Sequence, residues 1–127
     1  AMSEKMHKNI SIMIAVNSVL AQNIYRLLFS DYPVQIVVRN MFDDAIKCAA
    51  RRRKNTILIF DSSAILGSEG KIAGILSNND VLKKMPKIFV CGRKCRSDSF
   101  GLLPLSIVIQ RPFHPDEFLK IVKDMMS

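Results

Sequence analysis

The sequence predicts an α/β domain of three layers, with a parallel sheet between two layers of helices. Three observations carry this. Short, nearly continuous apolar runs recur along the chain, as in strands covered on both faces. Amphipathic stretches of helical period separate them. The alternation continues from end to end as five strand–helix units, with no repeat, linker or low-complexity tract. The chain has 127 residues, which suits one domain at roughly 100–200 residues per domain. Apolar residues make up 49% and charged residues 24%. That composition excludes a disordered or collagenous chain, and the core needs no disulfide or metal.

The first strand is expected over residues 10–16, Ile-Ser-Ile-Met-Ile-Ala-Val. A helix over 18–30 follows. Leu20, Ile24, Leu27 and Leu28 share one face and are expected to face the core, and Asn17 or Ser18 caps the start. Tyr32-Pro33 ends that helix, because proline disfavours the helical region for the residue before it. The β-branched run 34–38 is the second strand. The helix over 42–53 carries Phe42, Ala45, Ile46, Ala49 and Ala50 on one side. Asp43 and Asp44 open it and Arg51, Arg52 and Arg53 close it, both favourable to the helix dipole.

Residues 56–60 form the third strand, ending at Asp61. The segment 62–70 reads as turns, 71–76 as a short helix, and 77–80 as a turn or cap leading into 81–85. A fourth strand is expected over 87–91 after Pro86, and a fifth over 105–110. Between them, 92–101 is polar and basic with little apolar periodicity. The last helix is clearly marked. Pro115 suits its first position, Asp116 and Glu117 its first turn, and Phe118, Ile121, Val122 and Met125 repeat on one face. Residues 1–8 are expected to be a flexible start with an appended Ala1, leaving 9–127 as the domain of a longer protein. In such folds sites gather at the carboxyl ends of strands, here Val16-Asn17, Asp61, Cys91-Gly92 and Arg111.

On these residues the chain resembles the receiver domains of bacterial response regulators. Ile57-Leu58-Ile59-Phe60-Asp61 is similar to the third strand that carries the phospho-acceptor aspartate. Val37-Val38-Arg39-Asn40-Met41-Phe42-Asp43-Asp44-Ala45-Ile46 is similar to the second strand and helix. Ile107-Val108-Ile109-Gln110-Arg111-Pro112-Phe113 is similar to the fifth strand with its Lys-Pro-Phe end. Cys91 lies 30 residues after Asp61 and Arg111 another 20 on, a spacing that suits the family. The resemblance implies a flavodoxin-like, doubly wound five-stranded sheet in the order 2-1-3-4-5, and the short 92–101 segment implies a short or irregular fourth helix.

The resemblance also locates departures. The family's acidic pair, which helps hold Mg²⁺, falls on Ala15, Val16 or Asn17, and no Asp or Glu occurs from 5 to 30. Mg²⁺ takes hard oxygen ligands, so its binding is not expected and no other cofactor is indicated. The switch Ser/Thr falls on Cys91 or Gly92, and a thiol is a weak donor to a phosphoryl oxygen. Arg111 replaces the lysine with a planar fork. The Met-Pro pair after the aspartate is absent, and Glu69 stands where glycine is usual.

The expectation is an atypical receiver of the two-component type, signalling by protein–protein contact without Mg²⁺-dependent phosphorylation of Asp61. It would not be an enzyme, since no Ser/His/Asp or Cys/His set or phosphate loop has supporting context. A receiver that still accepts phosphate at Asp61 is the alternative. A nucleic-acid-associated regulator is a further one, resting on the +8 charge and the clusters Arg51-Arg52-Arg53-Lys54 and Arg93-Lys94-Cys95-Arg96. Aromatic residues are not interleaved with those cations, which argues against a single-strand binder.

The partner is expected to be another protein, an attached effector or a second copy in a homodimer. It would meet Arg93, Lys94, Arg96 and an open apolar patch at Leu102, Leu103 and Leu105. No apolar run reaches about 18 residues, so no membrane span is expected. Three cysteines in such a domain suit a reducing cytoplasm.

Each candidate also has a structural role. Asp61 is expected to pair with Arg111. Cys91 and Cys95, with Asp61 and His114, have the chemistry of a zinc set but come from separate loops. Beside Arg93, Lys94 and Arg96, the same two thiols are candidates for a lowered pKa and redox sensing. Cys48 suits a core position. His114 suits helix entry, and His7 lies in the flexible start.

Overall fold

The computed structural model describes residues 10–52 and 55–126. His7, Arg53, Lys54 and the expected start over 1–8 lie outside the described residues. Strands β1 (Ser11–Ala15), β2 (Gln35–Arg39), β3 (Thr56–Asp61), β4 (Lys87–Cys91) and β5 (Ser106–Gln110) form one sheet in the order β2-β1-β3-β4-β5. Every neighbouring pair is parallel. The helices are α1 (Val19–Leu28), α2 (Phe42–Arg52), α3 (Ser62–Ile65), α4 (Glu69–Asn78), α5 (Asp80–Lys83) and α6 (Pro115–Met126). This is the doubly wound sandwich with strand order 2-1-3-4-5.

Alternation along the strands divides the core in two. Met13, Leu58, Phe60 and Phe89 face α2, α4 and α5. Ile12, Ile14, Ile57, Ile59, Ile88 and Val90 face α1 and α6. β3 and β4 are buried throughout, as a central parallel strand must be. The stretch between β4 and β5 contains only a 3₁₀ turn, Ser97–Phe100. The fourth helix of the resemblance is therefore short and irregular. Phe100 nevertheless fills the core, stacking on Phe89 at 3.8 Å between ring centroids.

The middle of the chain is more helical than expected. Residues 62–65 form α3 because the Asp61 carboxylate caps it, accepting from the Ser63 N–H at 3.0 Å. α4 begins at Glu69, ahead of the expected 71.

The face of α1 is a larger correction. Leu20 and Leu27 are 73% and 74% exposed, and Ile24 also faces solvent. Tyr25 is the buried residue of α1, and Ala21, Leu28 and the following Phe29 pack on the same core. The aromatic pair decides the rotation. Tyr25 and Phe29 both pack on Phe118 of α6, at 6.1 and 6.0 Å. Turning α1 to bury Leu20 and Leu27 would remove those contacts. Ser18 caps α1 through Oγ, which accepts from Ala21 N–H at 3.2 Å. Ser18→Ala is expected to cost about 1 kcal/mol of unfolding free energy in a denaturant titration.

Candidate functional site

The carboxyl ends of β1, β3, β4 and β5 converge on Asp61. Strand order makes β1 and β4 the neighbours of β3, and β5 flanks β4. Asp61 is fully buried, and both of its carboxylate oxygens are engaged. Tyr25 Oη donates to Oδ1 at 2.7 Å. The Arg111 guanidinium forms an ion pair with the same oxygen. Oδ2 accepts from the Ser63 N–H at 3.0 Å and from Ser63 Oγ at 2.6 Å. Ser63 Oγ in turn accepts from the Asn17 N–H at 2.9 Å, tying the end of β1 to the cluster.

Burial pushes the Tyr25 phenol well above its ordinary value, and the nearby Arg111 charge offsets only part of that. Tyr25 therefore stays protonated and remains a donor to Asp61. Arg111 is 37% exposed, so its guanidinium spans the buried carboxylate and solvent.

Ala15 and Val16 are fully buried and apolar, while Asn17 is exposed and contributes its backbone N–H. Cys91 does not face Asp61. Asp61 is in register with Val90, so Cys91, one residue on, turns to the other face and joins the α2/α4 core. Gly92 lies beside the site, since a Cβ there would stand 3.9 Å from Ser62 Oγ. Glu69 is buried at the start of α4 and accepts from the Arg96 N–H at 3.0 Å. That bond, above all, lowers its pKa.

Two readings of the cysteines need correction. Burial pushes the Cys91 thiol up to about 12 and raises that of Cys95 as well. Arg93 and Lys94 project to solvent and do not depress either value. Nor do Cys91, Cys95, Asp61 and His114 meet. Among the described residues no three His, Cys, Asp or Glu side chains form a metal-ligand group.

Of the expected partner surface, Arg93, Lys94 and Arg96 are exposed. Leu102 is 99% exposed and Leu105 is exposed too. Leu103 is not available, because at 8% exposure it packs under the 3₁₀ turn with Phe100. Arg51 is exposed, whereas Arg52 folds back to donate to Ser11 Oγ and Gln35 Oε1.

Three features were not singled out from the sequence. Tyr25 stands four residues before Phe29 with a polar tip that requires a partner when buried. Ser63 follows Asp61 at the spacing of a side-chain cap. The exposed α1 stripe borders a groove of about 360 Å³ lined by Leu20, Ile24, Tyr25, Arg111 and Phe113.

No protein-family model and no curated protein matches the sequence significantly. Solved structures do match in shape. The receiver domain of sensor histidine kinase PA1611 from Pseudomonas aeruginosa PAO1 has a TM-score of 0.73 at 12% identity, covering 93% of this chain and 97% of that one. That structure holds a magnesium ion in its active-site cleft. Chemotaxis response regulator CheY4 of Vibrio cholerae has a TM-score of 0.72 at 12% identity, covering 92% and 98%. A response regulator receiver modulated diguanylate cyclase from Pelobacter carbinolicus has a TM-score of 0.66 at 13% identity, covering 93% and 92%. Among the described residues no helix is long and apolar enough to cross a membrane. With its strand order, its Asp61-centred strand ends and these likenesses, the chain has the fold of the response-regulator receiver domains.

Proposed function

We propose that this chain is an atypical receiver-type signalling module that acts through protein contacts, with Asp61 as a fixed structural centre instead of a phosphoryl acceptor. One observation carries the reading: Asp61 is fully buried with both carboxylate oxygens engaged by Tyr25, Ser63 and Arg111. An in-line attack on a phosphoryl donor needs a free carboxylate oxygen and a counter-charge for the developing phosphate.

The residues present do not fit Mg²⁺. The ion needs several hard oxygen ligands in near-octahedral array. Here Ala15 and Val16 offer no side-chain oxygen, Asn17 offers only a neutral amide oxygen, and Asp61 is already neutralised by Arg111. The Arg111 cation occupies the electrostatic place that a divalent ion would otherwise fill.

The partner is a separate protein or an attached effector, as in the Pelobacter carbinolicus protein, whose receiver modulates a diguanylate cyclase. The exposed Leu20, Ile24 and Leu27 on α1, and Arg93, Lys94, Arg96, Leu102 and Leu105 near β5, are the surfaces offered for such contact. Intact-mass spectrometry after incubation with a small-molecule phosphodonor and Mg²⁺ tests the reading. The expected result is no Asp61-dependent adduct on folded protein. A phosphoryl adduct present in the wild type and lost in Asp61→Asn would restore a phosphorelay role.

A further inference from the structure

Cys91 ends β4 fully buried, and Cys95 stands partly buried against the same core. A tight turn joins them, closed by the Cys95 N–H donating to the Gly92 carbonyl at 3.2 Å. Across it both side chains pack on the same core, close enough for each thiol to influence the ionisation of the other. Glu69 fixes the far side of the turn through the Arg96 N–H. The third thiol, Cys48, lies on α2.

We propose that Cys91 and Cys95 are a reversible dithiol–disulfide site, oxidised by exchange with a low-molecular-weight disulfide of the glutathione-disulfide class. Cys95 is the more accessible sulfur. It loses its proton to solvent, and its thiolate attacks one sulfur of the small disulfide. The S–S bond of that disulfide breaks and one small thiol leaves with a proton. Cys91 then loses its proton and attacks Cys95 Sγ, forming the intrachain bond and expelling the second small thiol. Two protein thiols give up two electrons and two protons, and the small disulfide takes them as two thiols.

Burial holds both thiols protonated near neutral pH, so exchange is slow and quickens about tenfold per pH unit below the thiol pKa. The site responds to a sustained shift in thiol–disulfide balance, not to a brief pulse of oxidant. Its position gives it a route to the Asp61 cluster. Gly92 lies beside Ser62, and the next residue, Ser63, holds Asp61. This inference does not depend on whether Asp61 accepts phosphate.

The folded chain is equilibrated with reduced and oxidised glutathione at graded ratios, near neutral pH and about two units higher. It is then acid-quenched, unfolded, alkylated and mapped by mass spectrometry. The expected oxidised species has lost two hydrogens, carries one alkyl group, at Cys48, and yields a linked Cys91–Cys95 fragment. Reduced glutathione reverses it, and its formation is faster at the higher pH. Cys48→Ser is expected to leave this behaviour unchanged. Free Cys91 and Cys95 at every ratio, or a link through Cys48, would overturn the proposal. The wild-type map decides even if Cys91→Ser fails to fold.

Discussion

Replacing Asp61 with alanine is expected to destabilise the fold by about 3 kcal/mol, measured by denaturant titration. Removing one member of a buried ion pair costs about 3–5 kcal/mol, because the other charge is left unpaired. Arg111 is 37% exposed and can turn to water, which places the cost at the lower end. Tyr25 has no such escape. It is buried, and its hydroxyl loses the acceptor at 2.7 Å, a loss of about 1–3 kcal/mol by itself. α3 also loses its cap. Tyr25→Phe removes only the hydroxyl and is expected to cost about 1 kcal/mol. A carboxylate kept for chemistry at the expense of stability would behave in the opposite way, with Asp61→Ala as stable as the wild type or more so.

The second large effect comes from Lys87, a fully buried lysine at the start of β4. Its Nζ donates to the carbonyls of Met85 at 2.6 Å, Lys83 at 3.2 Å and Pro104 at 3.3 Å. One cation thus ties the end of α5 to the segment entering β5. Burial lowers its pKa from 10.5 to about 8. Between those values the unfolded chain holds a proton that the folded chain has released. Stability therefore rises with pH across this window and levels off above it. The shift corresponds to at most about 3 kcal/mol. Tyr25 and Cys91, whose values are raised, titrate first in the unfolded chain and act the other way at the alkaline end. The difference between wild type and Lys87→Met isolates the lysine. That difference is expected to grow in favour of the wild type from about pH 8 to 10.5, and a flat difference would show that burial does not perturb Lys87.

The elements written in local pattern were legible from the sequence. β3 and β4 are continuous apolar runs, and α6 announces itself with Pro115, Asp116 and Glu117 before a regular apolar face. α1 was misread because its apolar stripe is real but faces solvent. Periodicity finds a stripe and cannot say which side meets the sheet when Tyr25 and Phe29 compete for it. Leu103 was misjudged for a related reason, and the burial of Lys87 within its correctly placed strand was not anticipated. Leu103 joins the α2/α4 core one turn after Phe100, and Lys87 reaches the Pro104 carbonyl 17 residues on, contacts that periodicity does not reveal. At the site, Asp61 and Arg111 could be placed at strand ends from spacing. Ser63, two residues on, was legible as a local cap and was overlooked, whereas only the fold brings Tyr25 to the carboxylate and the Asn17 N–H to Ser63 Oγ.

In the proposed reading the Asp61 cluster is complete without a divalent ion. The most direct measurement is a Mg²⁺ titration followed by amide NMR at residues 15–17, 61–63, 91–92 and 110–111. These signals are expected to stay in place through millimolar Mg²⁺, apart from small, non-saturating drift. Saturable shifts confined to the strand ends, abolished in Asp61→Asn, would contradict it.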